Sequence, residues 1–179
     1  MNYEEFWGLI DKTSSASHGD GDMQADLLVN ELIHLSTDEI LRFNEIFQEY
    51  MDRAYNRDLW AAAYIINCGC SSDGFMDFRA WLIGQGRIIF ENALSDPESL
   101  IDVVTPQTVT LVQKLMNVAK HAYVVKKGVA MPSTSHSIPD LIGDKWDESI
   151  LSQKYPRLHD RFGDCEGWRQ FFEGGSEAD

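Results

Sequence analysis

Residues 58–86 read DLWAAAYIINCGCSSDGFMDFRAWLIGQG. This is the most apolar and aromatic part of an otherwise acidic, polar chain. Leu59, Ala62, Ala63 and Ile66 recur at i, i+3, i+4 and i+7, and Trp60 and Tyr64 form an adjoining stripe, which is the spacing of one broad helical face. A helix that is apolar nearly all round is buried on several sides. The charge-free run is far shorter than the roughly 20 residues needed to cross a bilayer, so its place is a protein core. The three alanines leave room for another helix to approach closely. Asn67 to Gly74 then breaks the pattern with small, turn-forming residues. Ser72 or Asp73 caps a second helix that puts Phe75, Phe78 and Leu82 on one face. Gly84 and Gly86 end or bend it, and Ile88, Ile89, Phe90, Ala93 and Leu94 resume a helical run. The reading is helix–turn–helix at the centre of an all-α, single-domain, multi-helix bundle.

Outward from this centre the chain keeps helical periodicity. Tyr3 to Lys12 forms a short helix with Phe6, Leu9 and Ile10 inward and Trp7 beside them. Thr13 to Asp22 reads as a polar connector. It lacks the ordered oxygen ligands and closing Glu of a calcium loop. Asp22 to Leu35 is amphipathic, with Ala25, Leu28, Val29, Leu32 and Leu35 inward. Ser36-Thr37-Asp38-Glu39 is a capping box that starts a helix to about Ala54, and the short joint predicts an antiparallel pair. Ser95-Asp96-Pro97-Glu98 announces a short helix. Thr105-Pro106 starts a long one to Lys126, with Val109, Val112, Leu115, Met116, Ala119, Ala122 and Tyr123 inward. Lys126-Lys127-Gly128 stops it.

Residues 128–144 read as an irregular loop anchored by Ile138, Leu141 and Ile142. A short helical piece follows Trp146 and stops near Pro156. Leu158, Phe162, Trp168, Phe171 and Phe172 dock a C-terminal extension. The domain spans 1–173, and 174–179 form a frayed tail.

The central motif, with Glu5-Phe6-Trp7-Gly8-Leu9-Ile10-Asp11, Leu35-Ser36-Thr37-Asp38-Glu39-Ile40 and Tyr155-Pro156-Arg157-Leu158, resembles a family of bacterial proteins, domain of unknown function 4240 (DUF4240). The resemblance implies a bacterial protein. It brings no reaction, ligand, partner or catalytic residue with it.

The 179 residues carry a formal charge of −14. Residues 1–54 hold three cations against twelve carboxylates, net −9, whereas 105–140 are net +3. Such a field repels nucleic acid and anionic membranes and attracts a basic partner. No secretory signal opens the chain. Three cysteines, two of them one residue apart, suit a reducing cytoplasm better than a disulfide framework.

Candidate chemistry is sparse. Cys68-Gly69-Cys70 has neither the zinc spacing nor the redox C-x2-C spacing, and reads as free cysteines in a turn. No metal or cofactor is expected. Histidine groupings, phosphate loops and nucleophile elbows are missing from the sequence. One constellation stands out. Asp73 and Asp77 are i, i+4 on one helical face, and with Asn67, Arg79, Trp60 and Trp81 they line the mouth of a candidate ligand site. The simpler role for them is a helix cap plus an ion pair. The sequence therefore predicts a non-enzymatic, cytoplasmic interaction module, immunity- or antitoxin-like, that binds a basic protein. Its alternative is a small-ligand or metal-binding protein or enzyme using the Asn67, Asp73, Asp77 and Arg79 pocket.

Overall fold

Asn2 opens the first helix by a capping box: its side chain accepts from Glu5 N–H, and Glu5 accepts in return from Asn2 N–H. The computed structural model describes residues 1–104, 114–133 and 136–164. Within them the helices are α1 (Tyr3–Ser17), α2 (Gly21–Leu32), α3 (Thr37–Arg53), α4 (Arg57–Ile66), α5 (Ser72–Gly84), α6 (Arg87–Ser95), α7 (Val118–Lys127), α8 (Glu148–Lys154) and α9 (Pro156–Phe162). Short 3-10 turns lie at Pro97–Asp102 and Leu115–Asn117. One isolated bridge joins Asn56 to Ile142. The fold is all-α.

Local chemistry explains most boundaries. Ser36 and Glu39 form the predicted capping box of α3, and Gly128, at φ 71°, closes α7. The 13–22 connector is shorter than its composition predicts, because α1 runs on to Ser17. Thr13 and Ser17 are buried, and their hydroxyls donate to carbonyls three or four residues back, so the polar side chains are satisfied inside the helix.

The long helix predicted from Thr105 breaks at Asn117, where the backbone leaves helical geometry before α7 begins. Its first residues, 105–113, lie outside the described residues, as do Trp168, Phe171, Phe172 and the 174–179 tail. Pro156 ends α8 and also opens α9 at its first position, where a missing N–H costs nothing.

The buried side chains form one cluster, to which α3, α4 and α5 contribute most. Phe6, Trp7, Tyr50 and Phe90 meet ring to ring. Ala61, Ala62 and Ala63 are fully buried, and α9 packs closely on α4. Ile88 departs from the apolar pattern, at 77% exposed.

The predicted α2–α3 pairing is replaced by a wedge. α2 packs against α1 and α7, and α3 against α7 and α5. The small Ala119 and Ala122 let α7 enter between them.

Of the predicted loop anchors in 128–144, Leu141 is half-buried; in the described residues up to 147, Met131 and Trp146 pack against the core, and polar contacts add to the hold. Ile138 and Ile142 are exposed. The polar holds are Arg57 N–H to Ile142 O at 2.9 Å, Trp146 Nε1 to Arg57 O at 2.7 Å, and His136 to Asp52 at 3.0 Å.

Helix ends are tied by distant side chains. Asp11 accepts from Arg87 N–H at the start of α6, and Gln24 donates to Gly84 O at the end of α5. Lys126 donates to Ile33 O after α2. Glu98 accepts from Arg157 and Leu158 at the start of α9.

Candidate functional site

α4 ends at Asn67, whose N–H returns to Ala63 and Ile65 carbonyls. Cys68 (φ 53°) and Gly69 (φ 119°) then reverse the chain in the left-handed region, and Ser71 caps α5. The cap is Ser71, one residue ahead of Ser72 and two ahead of Asp73, the two predicted caps, because the reversal ends at Cys70.

Three of the predicted site residues gather on this turn. The Trp60 indole donates to Cys70 O at 3.0 Å and stacks on Phe75, centroids 4.8 Å apart. The Cys70 thiol donates to Ser71 O at 3.6 Å, and the Asn67 side chain and the Asp77 charge both act on its ionisation. Burial pushes this thiol up to about 11. The Asp77 charge adds to the rise, and the Asn67 side chain only partly opposes it. Cys70 is therefore a thiol at neutral pH and a poor nucleophile. Cys70 is the free cysteine among the described residues, whereas Cys68 is disulfide-bonded. This corrects the reading of both as free and removes the cysteine argument for a reducing compartment. Cys165 lies outside the described residues.

The other three residues have separate tasks. Asp73 is exposed in the first turn of α5, where a carboxylate favours the positive helix end. Trp81 is buried and packs on Phe78. Arg79, 9% exposed, turns toward α3. Its Nη1 donates to Met51 O at 2.8 Å and its Nε to Phe75 O at 3.3 Å. The guanidinium lies 4.7 Å from the Tyr55 ring centre and 5.0 Å from that of Phe75. Burial lowers its pKa, and the Tyr55 and Asp52 fields oppose that. Arg79 thus caps the C-terminal end of α3 from α5. Trp60, Asn67 and Asp77 all act on Cys70, whereas Arg79 is engaged at Met51 and Phe75.

Two features were not read from the sequence. The first is a groove of about 380 Å³ between α2 and the start of α7, lined by Ala25, Asp26, Val29, Lys114, Asn117, Val118 and His121. Its two walls come from widely separated segments, which no local spacing signals.

The second is how the acidic surface is wired. Lys12 binds Glu31, Arg42 binds Glu45 and Glu49, and Arg53 binds Glu91. Every cation of residues 1–54 is thus already held by a carboxylate. The Ser36 hydroxyl and backbone hold Glu39 below the usual carboxylate range, and the Tyr3 hydroxyl, with Arg42, does the same for Glu49. Among the described residues, no cluster of three or more His, Cys, Asp or Glu is placed to hold a metal. Among the described residues, too, no helix is long and apolar enough to cross a membrane.

No curated protein and no solved structure matches the chain. A family model, described as protein of unknown function (DUF4240), matches residues 1–125. The match holds the capping boxes of α1 and α3, the α4–α5 turn and most of α7, while Tyr155-Pro156-Arg157-Leu158 lies beyond it. On that match, the chain belongs to the DUF4240 family.

Proposed function

We propose that this protein is a non-enzymatic interaction module whose acidic helices α1–α3 bind a basic protein, in the manner of an immunity or antitoxin protein. One observation carries the reading. Lys12, Arg42 and Arg53 are all held by carboxylates of the chain itself, and from the rest of the described chain Arg87, Lys114 and His136 take up Glu4, Asp22 and Asp52, so the remainder of the surplus of residues 1–54 is left for a partner to neutralise. The lowered Glu39 and Glu49 keep that surface anionic into mildly acidic solution. Complementary charge steers such a partner and disfavours nucleic acid and anionic membranes.

The test is retention of partners on the immobilised protein at low ionic strength and again near 1 M salt, where the Debye length is about 3 Å. A basic partner held at low salt, released at high salt and weakened by Asp38→Lys with Glu45→Lys supports the reading. Retention of no partner, or of an acidic one, overturns it. The surface suits a cytoplasmic protein, but a reducing compartment opposes the Cys68 disulfide. Three titratable thiols per chain in freshly isolated protein would place it in the cytoplasm, and a lower count would not.

A second reading, a small-ligand site or enzyme, draws on the convergence of Trp60, Asn67 and Asp77 on Cys70. Arg79, already committed to Met51 and two rings, does not serve it. A thermal shift with metals or metabolites that Asp77→Ala removes would favour this reading.

A further inference from the structure

The chain has three cysteines, Cys68, Cys70 and Cys165. Cys70 is a thiol and Cys68 is in a disulfide, so by count the partner of Cys68 is Cys165. The packing agrees. α9 lies on α4, with Leu158 and Phe162 buried and its start capped by Glu98. Lys154 holds Asp58 of α4 at 2.6 Å. At the far end of α4, Cys68 Sγ lies 3.8 Å from Phe162 O. Cys165 follows Phe162 by three residues, and three residues of extended chain span about 10 Å, so the chain leaving α9 can reach the turn. Cys68 itself holds a φ of 53°, a left-handed conformation that a non-glycine residue keeps only when its surroundings impose it. Cys68 is half-buried beside the exposed Ser71, Ser72 and Asp73, which leaves its sulfur open to a small reductant. Cys70, two residues on, stays protonated at neutral pH and so does not attack its neighbour's disulfide.

We infer that Cys68 and Cys165 form a redox-operated clasp: closed, it ties the chain beyond α9 to the α4–α5 turn, and reduced, it lets that turn open over Cys70. The reductant is a dithiol. One of its thiolates attacks a sulfur of the clasp, its second thiol displaces the first, and it leaves as its own disulfide. Two electrons and two protons thereby pass to Cys68 and Cys165, which become thiols. Closing needs a disulfide oxidant such as glutathione disulfide, which takes the same electrons and protons and leaves as two glutathione thiols. The bond closes a loop of more than half the chain, and long loops are where a cross-link constrains the unfolded chain most. The clasp goes beyond the interaction reading and does not depend on it.

The test equilibrates the full chain with glutathione disulfide or with dithiothreitol and digests each sample with trypsin under non-reducing conditions. The oxidised protein should give the 58–79 peptide linked to the 162–169 peptide, with the remaining thiol placed on Cys70 by fragmentation. Dithiothreitol should remove the link, and Cys70→Ser should keep it. The second readout is alkylation of Cys70 by iodoacetamide in the native protein at neutral pH, followed by peptide mass. It should run at least about tenfold faster once the clasp is reduced, because the turn then exposes the thiol. Cys68→Ser with Cys165→Ser leaves Cys70 as the one thiol and should show the same rise, with unchanged far-UV circular dichroism separating an opened turn from an unfolded chain. If that variant does not fold, the dithiothreitol-treated natural chain supplies the same comparison. No linked pair after oxidation, a link or glutathione adduct at Cys70, or one Cys70 rate in both states overturns the clasp. None of these outcomes bears on the retention of a basic protein, which decides the interaction reading separately.

Discussion

The Cys70 thiol shows how a short turn sets chemistry. Its pKa of about 11 follows from burial and the Asp77 carboxylate, against about 8.5 for a free cysteine. Iodoacetamide alkylation of Cys70 at neutral pH should therefore run on the order of a hundredfold slower than for an unhindered cysteine. Asp77→Asn should speed it, because the neighbouring charge is gone. Reaction at the free-cysteine rate would show that the turn does not bury the thiol. Arg79 makes the second case at this scale. Arg79→Met leaves the Met51 carbonyl without its donor and two rings without their cation. The cost should be about 2–3 kcal/mol in urea unfolding. Arg79→Lys should recover only part of it, since one ammonium cannot reproduce the fork that reaches both Met51 and Phe75. A loss below about 0.5 kcal/mol would remove the α3-capping role.

At the scale of elements, what could be read ahead of the coordinates follows the range of the interactions. The capping box at Ser36–Glu39, the Gly128 stop and the α4–turn–α5 centre depend on neighbours within four residues, and all were legible. The Asn2–Glu5 box is equally local. Thr13 to Ser17 misled because hydroxyl-rich composition suits both a loop and a helix whose hydroxyls bond backward, and only burial against the core decides between them. The α7 wedge, the Asp11 cap on α6 and the split of Arg79 from Asp77 are tertiary, and no spacing encodes them. Gly86 combines local and distant constraints. Its φ is 99°, and a Cβ there would lie 2.5 Å from Asp11 Oδ1, the atom that accepts from Arg87 N–H. Gly86→Ala therefore meets backbone strain and displaces the α6 cap together. It should cost about 2–3 kcal/mol, read as a lowered urea midpoint with the slope unchanged. A neutral substitution would mean that the α5–α6 joint rearranges freely.

Across the whole molecule two electrostatic effects compete. Surface pairs such as Lys12–Glu31 and Arg87–Glu4 each contribute about 0–1 kcal/mol, and salt weakens them. Mutual repulsion among the surplus carboxylates opposes folding, and salt weakens that too. The pairs consume one carboxylate per cation or, at Arg42, two, whereas the net charge of −14 is what remains after all such pairing. Repulsion should therefore dominate. Raising ionic strength from about 0.01 M to about 0.15 M shortens the Debye length from about 30 Å to about 8 Å. The melting temperature should rise by a few degrees, which for a chain of this size corresponds to about 1 kcal/mol. A basic protein bound to α1–α3 should give the same stabilisation at low salt, because it supplies the missing countercharge. If the melting temperature falls with salt instead, the internal pairs outweigh the repulsion. The carboxylates of α1–α3 would then already be neutralised by their own chain, and the proposed basic partner would lose its attraction to them.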